Sequence, residues 1–322
     1  MVKVAISGYY GFKNFGDELI LSVLIKKLKS LGADITVFSV NPEFTKKAYD
    51  VNAERTFNLF SVVKNLWETD VLISGGGSLF QDVTSINSLI YYAFVLGFAQ
   101  ILNKKTIIFA QGIGPLNNPI SRFIVKTLFR KVNSITVRDE KSLNLLKNWK
   151  IDAICVDDPA FGAEIPFVKK TNNLGIQLRG KCNMPPKFLP NLARAVAQSQ
   201  FNTVKIFSLQ NSLDMDMCKK FKQLLNDFAP EKQVYIVNDN LVREIASLNT
   251  LVGMRFHALI IGIKSKVKCT GINYDPKINS LCQEFNLEQI EFSDASSAIL
   301  EKINSAKLSF ISSEKGDFEL NL

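Results

Sequence analysis

The stretch TLVGMRFHALI, residues 250–260, contains an apolar run that is interrupted by Arg255 and His257 and then resumes. This order is typical of a buried β-strand followed by a buried helix, with a polar pair at the junction. Open parallel sheets bind their ligands at such junctions, beyond the carboxyl ends of the strands. His257 is the only histidine in the chain, so the junction predicts both a fold class and a place for chemistry.

The same alternation of strand-like and helix-like segments recurs along the whole chain. Strand-like runs before residue 160 are VKVAISG, ADITVFSV, DVLISGG, KTIIFAQG, SITVRD and DAICVDDP. After the Pro-, Lys- and Asn-containing segment PAFGAEIPFVKKTNN come LGIQLRG, TVKIFSL, QVYIVN, TLVGMR and KVKCTGIN. The pattern predicts two doubly wound, Rossmann-like α/β domains, residues 1–170 and 171–322, that face each other across a cleft. A closing helix from about residue 295 ends the second domain or packs back on the first.

The composition is that of an ordinary globular protein, with 47% hydrophobic and 21% charged residues among 322. The first residues lack a secretory leader, and the longest apolar run, LIYYAFVLGFA, falls short of the roughly 20 residues of a spanning helix. Five cysteines without a Cys-x-x-Cys pair suggest neither zinc nor a disulfide framework. We therefore expect a cytoplasmic protein that uses neither a metal nor a nicotinamide cofactor.

The formal net charge of +9 favours anionic partners. Part of the excess lies on one predicted helix, where Arg122, Lys126 and Arg130 follow at intervals of four residues beside Phe123 and Phe129. Two interpretations stay open for this helix: a solvated face, or peripheral contact with an anionic membrane surface. Nucleic acid is disfavoured because no recognition motif is found.

The loop after the first strand, SGYYGFKNFGDELIL, leads into a helix through several glycines. Glycines such as Gly16 let backbone N–H groups approach a ligand anion. Gly11 and Gly16 have the G-x-x-x-x-G spacing, but Asp17 and Glu18 stand where a P-loop needs Lys and Ser or Thr, so nucleoside triphosphate binding is disfavoured. Asp17 is either a helix N-cap or a carboxylate aimed into the cleft, able to orient or deprotonate a hydroxyl.

Two further loops after strands contain glycines and hydrogen-bonding side chains. In ISGGGSLFQD, Gly76 and Gly77 predict close backbone contact with a ligand or with the facing domain. Side chains suited to sugar hydroxyls follow in this loop and in AQGIGPL: Ser78, Gln81, Asp82 and Gln111.

The opening junction offers positive charge together with a proton donor. Arg255 can clamp a carboxylate or phosphate with two parallel hydrogen bonds, and Lys277 in GINYDPKI adds a second cation one strand away. His257 at a helix N-terminus would be neutral in the empty site and protonated beside a bound dianion, which makes it a candidate general acid. The alternative is a core histidine bonded to a backbone carbonyl.

These stretches together resemble the polysaccharide pyruvyl transferase family. The resemblance runs from residue 4 to about 280 and rests on SGYYGFKNFGDELIL, ISGGGSLFQD, AQGIGPL, VRDEKS, DDPAF, GMRFHALI and YDPK, in the family's order. It implies a GT-B-like arrangement of the two α/β domains. It also implies transfer of a pyruvyl group from phosphoenolpyruvate, the only co-substrate, onto two hydroxyls of a sugar to give a cyclic ketal.

The resemblance also implies roles for the candidate residues. Arg255 and Lys277 hold phosphoenolpyruvate on the C-terminal domain, and His257 protonates its methylene carbon. Asp17 on the N-terminal domain activates the acceptor hydroxyl. Arg138 and Arg179 either complete the anion site or form structural ion pairs, and Gln81 with Asp82 holds the sugar. The acceptor is a cell-wall or exopolysaccharide unit, carried on a lipid at the inner membrane face. The stretch GIKSKVKC departs from the family by being more basic.

Two other functions fit the same fold. One is a GT-B glycosyltransferase that uses a nucleotide sugar, which needs a base-stacking pocket and ribose contacts that the sequence does not identify. The other is a non-catalytic, carbohydrate-binding relative.

Overall fold

The structure is a computed structural model that describes residues 1–83 and 85–309. The chain divides into two compact units, of which the first covers Met1–Ala163 and the second begins at Glu164. The sequence pattern placed this boundary between residues 170 and 171. Each unit is built around its own parallel sheet, as the alternation of strand-like and helix-like segments predicted.

The first unit contains a seven-stranded sheet in the order β3-β2-β1-β4-β5-β6-β7, and every pairing in it is parallel. Its strands are β1 (Lys3–Ser7), β2 (Asp34–Ser39), β3 (Asn52–Arg55), β4 (Val71–Ser74), β5 (Lys105–Gln111), β6 (Ser134–Val137) and β7 (Ile154–Cys155). Its helices are α1 (Phe15–Ser30), α2 (Pro42–Tyr49), α3 (Leu59–Glu68), α4 (Ile86–Ile101), α5 (Pro119–Phe129) and α6 (Glu140–Asn148), followed by a 3₁₀ turn at Pro159–Gly162.

Helices cover both faces of this sheet because its central strands, β1, β4 and β5, are buried on both sides. In β1, Ile6 packs in the cluster that includes Leu21 and Leu24 of α1, whereas the neighbouring Ala5 packs in the cluster formed with α3 to α6. Burial on both faces explains why the strands read as nearly continuous hydrophobic runs instead of an alternating pattern.

The second unit contains a six-stranded parallel sheet in the order β10-β9-β8-β11-β12-β13. Its strands are β8 (Asn173–Gln177), β9 (Thr203–Phe207), β10 (Gln233–Val237), β11 (Thr250–Gly253), β12 (Lys268–Ile272) and β13 (Glu288–Ile290). Its helices are α7 (Phe188–Gln198), α8 (Asn211–Phe228), α9 (Leu241–Ala246), α10 (Phe256–Lys264), α11 (Pro276–Glu284) and α12 (Ser296–Asn304). The closing helix α12 packs on α7 within this unit.

Both sheets reverse their strand order once, and the loops predicted to carry chemistry follow the strands at these reversals. In the first sheet the reversal lies between β1 and β4, and in the second it lies between β8 and β11. The crevice outside such a reversal is the usual ligand position in doubly wound sheets. The prediction of two doubly wound α/β domains is therefore confirmed, and TLVGMRFHALI is confirmed as the β11–α10 junction.

Candidate functional site

The side chain of Tyr10 packs against the ends of β1 and β4, where the strand order of the first sheet reverses. Its side chain is fully buried, and a Cβ added at Gly8 or at Gly75 would overlap its ring or its hydroxyl. Glycine is required at these two positions because β1 and β4 close around the phenol. Burial raises the pKa of Tyr10, and the nearby charge of Asp17 raises it further, so the phenol stays protonated.

Asp17 occupies the third position of α1 and lies against the glycine-rich loop after β4. The N-cap of α1 is Asn14, whose side chain accepts a hydrogen bond of 3.1 Å from the N–H of Gly16, so the capping alternative for Asp17 is wrong. A Cβ at Gly77 would come within 2.9 Å of Asp17 Oδ1. The half-buried carboxylate also lies near Tyr92, whose pKa is raised by burial and then by Asp17.

Glu18 forms hydrogen bonds that hold the loop before α1. Its Oε1 accepts the N–H of Gly11 at 2.8 Å and its Oε2 accepts the Tyr49 hydroxyl at 2.7 Å. Burial raises the pKa of Glu18, while the hydrogen bonds from Tyr49 and Gly11 lower it in part. Gly11 has a φ of 82°, which favours glycine. Glu18 is therefore structural, whereas a chemical role for Asp17 stays a prediction.

The glycines after β4 bring the loop close to α1. A Cβ at Gly76 would lie 2.7 Å from Ile20 Cγ2, and Gly77 has a φ of 101°. The carbonyl of Gly77 accepts the N–H of Gly112 at 2.8 Å. These close approaches lie within the first unit, toward Ile20 and Asp17 of α1. The contact with a ligand or with the facing domain that the triplet predicts stays a prediction.

Gln111 follows an irregularity at the end of β5. The β5–β6 register shifts between Ile108 and Gln111, and the intervening Ala110 has a φ of 44°, a conformation that is costly for a residue with a Cβ. The buried side chain of Gln111 donates from Nε2 to Ser74 Oγ at 2.8 Å and to the carbonyl of Gly75 at 2.6 Å. Its Oε1 accepts no hydrogen bond within the part of the chain that the structure describes. Strained backbone of this kind clusters at functional sites.

Arg138 forms an ion pair with Asp158, and both side chains are almost fully buried. Arg138 Nη1 lies 2.7 Å from Asp158 Oδ2, and Nη2 donates to Ser78 Oγ at 3.2 Å. The ion-pair alternative for Arg138 is the one that the structure shows. Asp158 belongs to the quoted stretch DDPAF, but its pairing with Arg138 is set by the tertiary fold.

Gln81 and Asp82 are engaged with the local backbone. Gln81 Oε1 accepts the N–H of Val83 at 2.9 Å, and Asp82 accepts the N–H groups of Asn117 at 2.9 Å and Asn118 at 2.8 Å. Desolvation opposes the ionisation of Asp82, but these backbone hydrogen bonds outweigh it and lower its pKa. Asp82 therefore fixes the loop before α5, a structural function that the sequence did not reveal.

Arg255 makes its two parallel hydrogen bonds with Asp214 on α8. Arg255 Nε lies 2.9 Å from Asp214 Oδ2, and Nη2 lies 2.6 Å from Oδ1. Asp214 is fully buried, and its oxygens also accept backbone N–H groups from Gly180, Leu209 and Gln210. The clamp expected for a substrate carboxylate is thus made within the protein, and the other N–H groups of Arg255 are those available to an anion.

Gln177, at the end of β8, holds the turn that starts α10. Its Oε1 accepts the N–H of Arg255 at 2.6 Å and that of Met254 at 3.2 Å, and its Nε2 donates to the carbonyl of Leu178 at 2.8 Å. The N-cap position of α10 is Arg255 itself, whose side chain makes no capping hydrogen bond. The first turn of α10 therefore places the positive end of the helix dipole at the strand-order reversal of the second sheet.

His257 is the second residue of α10 and is half-buried. Its ring meets that of Phe256 edge-on at a centroid distance of 5.4 Å. The imidazole therefore belongs to the loop–helix junction after β11, two residues beyond the N-cap Arg255.

Arg179 and Lys277 follow the two strands that flank β11. Arg179, after β8, donates from Nη1 to the Tyr274 hydroxyl at 2.8 Å. Lys277 is exposed in the first turn of α11, where Asp275 caps the helix by accepting the Lys277 N–H at 2.9 Å. Because β8, β11 and β12 are neighbours, the strand ends bring Arg179, Arg255 and Lys277 to one edge of the sheet.

Among residues 1–83 and 85–309, no group of three or more His, Cys, Asp or Glu side chains is arranged to hold a metal ion. In the same part of the chain, every helix is too short or too polar to cross a bilayer. The five cysteines are unbridged, and burial raises the pKa of Cys218 to about 12, which keeps this thiol protonated and unreactive.

The chain is similar to solved structures that have a GT-B-like fold. HepE of Anabaena, solved with UDP-glucose, has a TM-score of 0.61 at 10% identity, covering 95% of this chain and 89% of its own. A putative UDP-N-acetylglucosamine 2-epimerase of Listeria monocytogenes has a TM-score of 0.66 at 7% identity, with 94% and 86% covered. The UDP-GlcNAc 2-epimerase of Methanocaldococcus jannaschii, with UDP-GlcNAc and UDP, has a TM-score of 0.64 at 13% identity, with 98% and 96% covered. At these identities the likeness establishes a GT-B-like fold alone.

The family follows from the sequence over most of the chain. The model of the polysaccharide pyruvyl transferase family matches residues 14–276, and the protein belongs to this family of transferases. No curated protein sequence gives a significant match. The resemblance inferred from the loop motifs is therefore confirmed.

Proposed function

We propose that this protein transfers the pyruvyl group of phosphoenolpyruvate to two hydroxyls of a saccharide, forming a cyclic ketal in cell-wall or exopolysaccharide synthesis. The observation that carries the proposal is the position of His257 in the first turn of α10, with Arg179, Arg255 and Lys277 following β8, β11 and β12 at the same edge of the sheet. Phosphoenolpyruvate bears a carboxylate and a phosphate, and this edge of the second unit combines three cationic side chains with the positive end of a helix dipole. The donor is assigned to the second unit on that basis.

Arg255 has a modified role in this proposal. Asp214 holds its guanidinium by Nε and Nη2, which fixes its orientation, while the remaining N–H groups bind the donor. Arg179, oriented by Tyr274, and the exposed Lys277 supply the other positive charges. A preoriented cation loses less freedom on binding than a mobile one.

The chemistry consists of a proton transfer followed by two additions. His257 gives a proton to the methylene carbon of phosphoenolpyruvate, and C2 becomes an electrophilic cation. The first sugar hydroxyl adds to C2 and loses its proton to Asp17, the candidate base of the first unit. Phosphate then leaves C2 with its bonding electron pair, and the second hydroxyl adds to C2 and gives its proton to the phosphate. The proton held by Asp17 returns through solvent to His257. The products are one ketal and one phosphate for each phosphoenolpyruvate.

The acceptor is proposed to be a saccharide that is carried on a lipid, which places the enzyme in the cytoplasm at a membrane surface. The first unit contributes Asp17 at the glycine-rich loop after β4. Ser78 and Gln111 lie in the loops after β4 and β5 and are the remaining candidates for contact with sugar hydroxyls.

Phosphate release is the direct test. Purified protein is mixed with phosphoenolpyruvate and a saccharide acceptor, which is either extracted from membranes on its lipid carrier or synthetic. Phosphate should be released only when both substrates are present. In a parallel measurement, phosphoenolpyruvate should raise the melting temperature, because a ligand that binds only the folded state stabilises it. A shift with UDP or CMP sugars and none with phosphoenolpyruvate would contradict the proposal and favour a nucleotide-sugar glycosyltransferase.

A further inference from the structure

Helix α4 exposes a row of apolar side chains where surface helices normally carry charge. Its sixteen residues include no Asp, Glu, Lys or Arg. Ile86, Ile90, Phe94 and Ile101 are between 38% and 75% exposed. The opposite side of the same helix, with Leu89, Tyr92, Val95, Leu96 and Ala99, is buried in the core. A helix that is apolar on both sides predicts a partner for its outer side.

The two neighbouring helices extend this surface. α4 contacts both α3 and α5. α3 exposes Phe60 and Trp67, and α5 exposes Ile120 and Phe123, all at least 67% exposed. We call the outward side of α3, α4 and α5 the apolar face. Scattered exposed hydrophobic residues are ordinary, but several of them on each of three neighbouring helices are typical of an interaction site.

Positive charge surrounds the apolar face. The three helices contain Lys64, Arg122 and Lys126 but a single acid, Glu68, and Arg130 directly follows α5. Arg122 and Arg130 are exposed, and Lys64 lies between Phe60 and Trp67 on the outer side of α3. Aromatic and aliphatic side chains combined with Lys and Arg are the composition of surfaces that lie on anionic bilayers.

A second copy of the chain fits this surface less well. A two-fold interface places the same surface of both subunits together, so the cations of α5 would meet one another with only Glu68 to offset them. A negatively charged lipid surface complements both the apolar residues and the charge. We propose that the apolar face docks the protein on an anionic membrane surface, with the apolar side chains inserted and the cations at the headgroups.

Vesicle flotation tests this proposal without requiring turnover. Wild-type protein should float with vesicles of phosphatidylcholine and phosphatidylglycerol and to a much smaller extent with vesicles of phosphatidylcholine alone. The double variant Ile90→Ser/Phe94→Ser should bind the anionic vesicles at least tenfold more weakly while it stays folded, which its thermal unfolding curve checks. Phe167→Ser, which removes a fully exposed aromatic residue from the second unit, is the matched control and should bind like the wild type.

The charge component has its own variant. Arg122→Gln/Lys126→Gln should weaken binding to anionic vesicles and reduce its dependence on salt, whereas Lys219→Gln/Lys220→Gln on α8 should change neither. The proposal is overturned if the wild type does not float, if neutral and anionic vesicles bind it equally, or if Ile90→Ser/Phe94→Ser binds normally. It is also overturned if sedimentation shows a wild-type dimer that the same double variant dissociates, because the apolar face is then a subunit interface.

Discussion

Arg255 and Asp214 form a two-point ion pair in which the carboxylate is fully buried and the guanidinium is only 13% exposed. This pair joins the β11–α10 junction to α8 and fixes the cation nearest to the start of α10. Its loss should therefore affect both the stability of the second unit and the donor site.

Asp214→Asn should destabilise the protein by about 3–5 kcal/mol, because it leaves Arg255 without its counter-charge in a mostly buried position. Urea unfolding measures the loss, and the thermal shift with phosphoenolpyruvate measures the donor site, which should weaken in parallel. Asp216→Asn, an exposed carboxylate on the same helix, is the control and should change neither quantity. Unchanged stability in Asp214→Asn would show that the ion pair makes no net contribution to the free energy of unfolding.

His257→Gln should lower turnover by about 100-fold or more, since the general acid is lost, while phosphoenolpyruvate binding is largely retained. Phosphate release gives the rate and the thermal shift gives binding. A non-catalytic relative predicts that this substitution leaves cellular function intact. Loss of binding together with activity would instead make His257 a donor-binding residue.

Asp17→Asn should reduce turnover by about 100-fold without changing the phosphoenolpyruvate thermal shift, because Asp17 acts on the acceptor in the proposed reaction. Ser22→Ala in the same helix is a suitable control, since its hydroxyl only bonds the carbonyl of Leu19 at 2.7 Å. Normal phosphate release by Asp17→Asn would remove this residue from the mechanism.

Glu18 should give the folding stability a measurable pH dependence. Burial raises its pKa in the folded state, so the folded state binds its proton more tightly than the unfolded state does. The free energy of unfolding contributed by this group is greatest below the unfolded pKa and falls as pH rises through the folded value. Glu18→Gln should remove this decline in urea titrations from acid to neutral pH. The exposed Glu43→Gln should retain it.

Gly75→Ala should strongly destabilise the first unit, because the new methyl group would overlap the Tyr10 hydroxyl. Tyr10→Phe removes that oxygen, which accepts or donates no hydrogen bond within the described residues, so this variant should be near neutral in stability. The double variant should recover part of the loss, since the ring carbon Cζ would still lie 3.0 Å away. If the effects of the two substitutions on stability are additive, the destabilisation by Gly75→Ala does not come from overlap with the Tyr10 hydroxyl.

Features that depend on local pattern are predictable from this sequence. The strand–loop–helix order around TLVGMRFHALI locates β11, α10 and the polar pair between them. Strand alternation predicts two doubly wound sheets, and parallel strands then bring Arg179, Arg255 and Lys277 to one edge. Periodicity is sufficient for these conclusions because it reflects burial on both faces of a sheet.

Partners that are distant in sequence are not predictable in the same way. Asp214 lies on α8, 41 residues before Arg255, in a stretch without a recognisable motif. The structural roles of Tyr10, Asp82 and Asp158 likewise depend on contacts that form only in the folded chain. A charged residue after a strand looks the same in sequence whether it binds a ligand or a buried counter-ion, so the roles of Arg138 and Asp82 required the structure.

The hydrogen bond from the backbone N–H of Arg255 to Gln177 Oε1 joins residues that are 78 positions apart in the chain. β8 is synthesised early in the second unit and β11 late, so the first turn of α10 acquires its orientation only when the two strands have paired. Binding of the donor would then require that this half of the molecule is fully folded. A nascent or truncated chain that ends before β11 should not bind phosphoenolpyruvate.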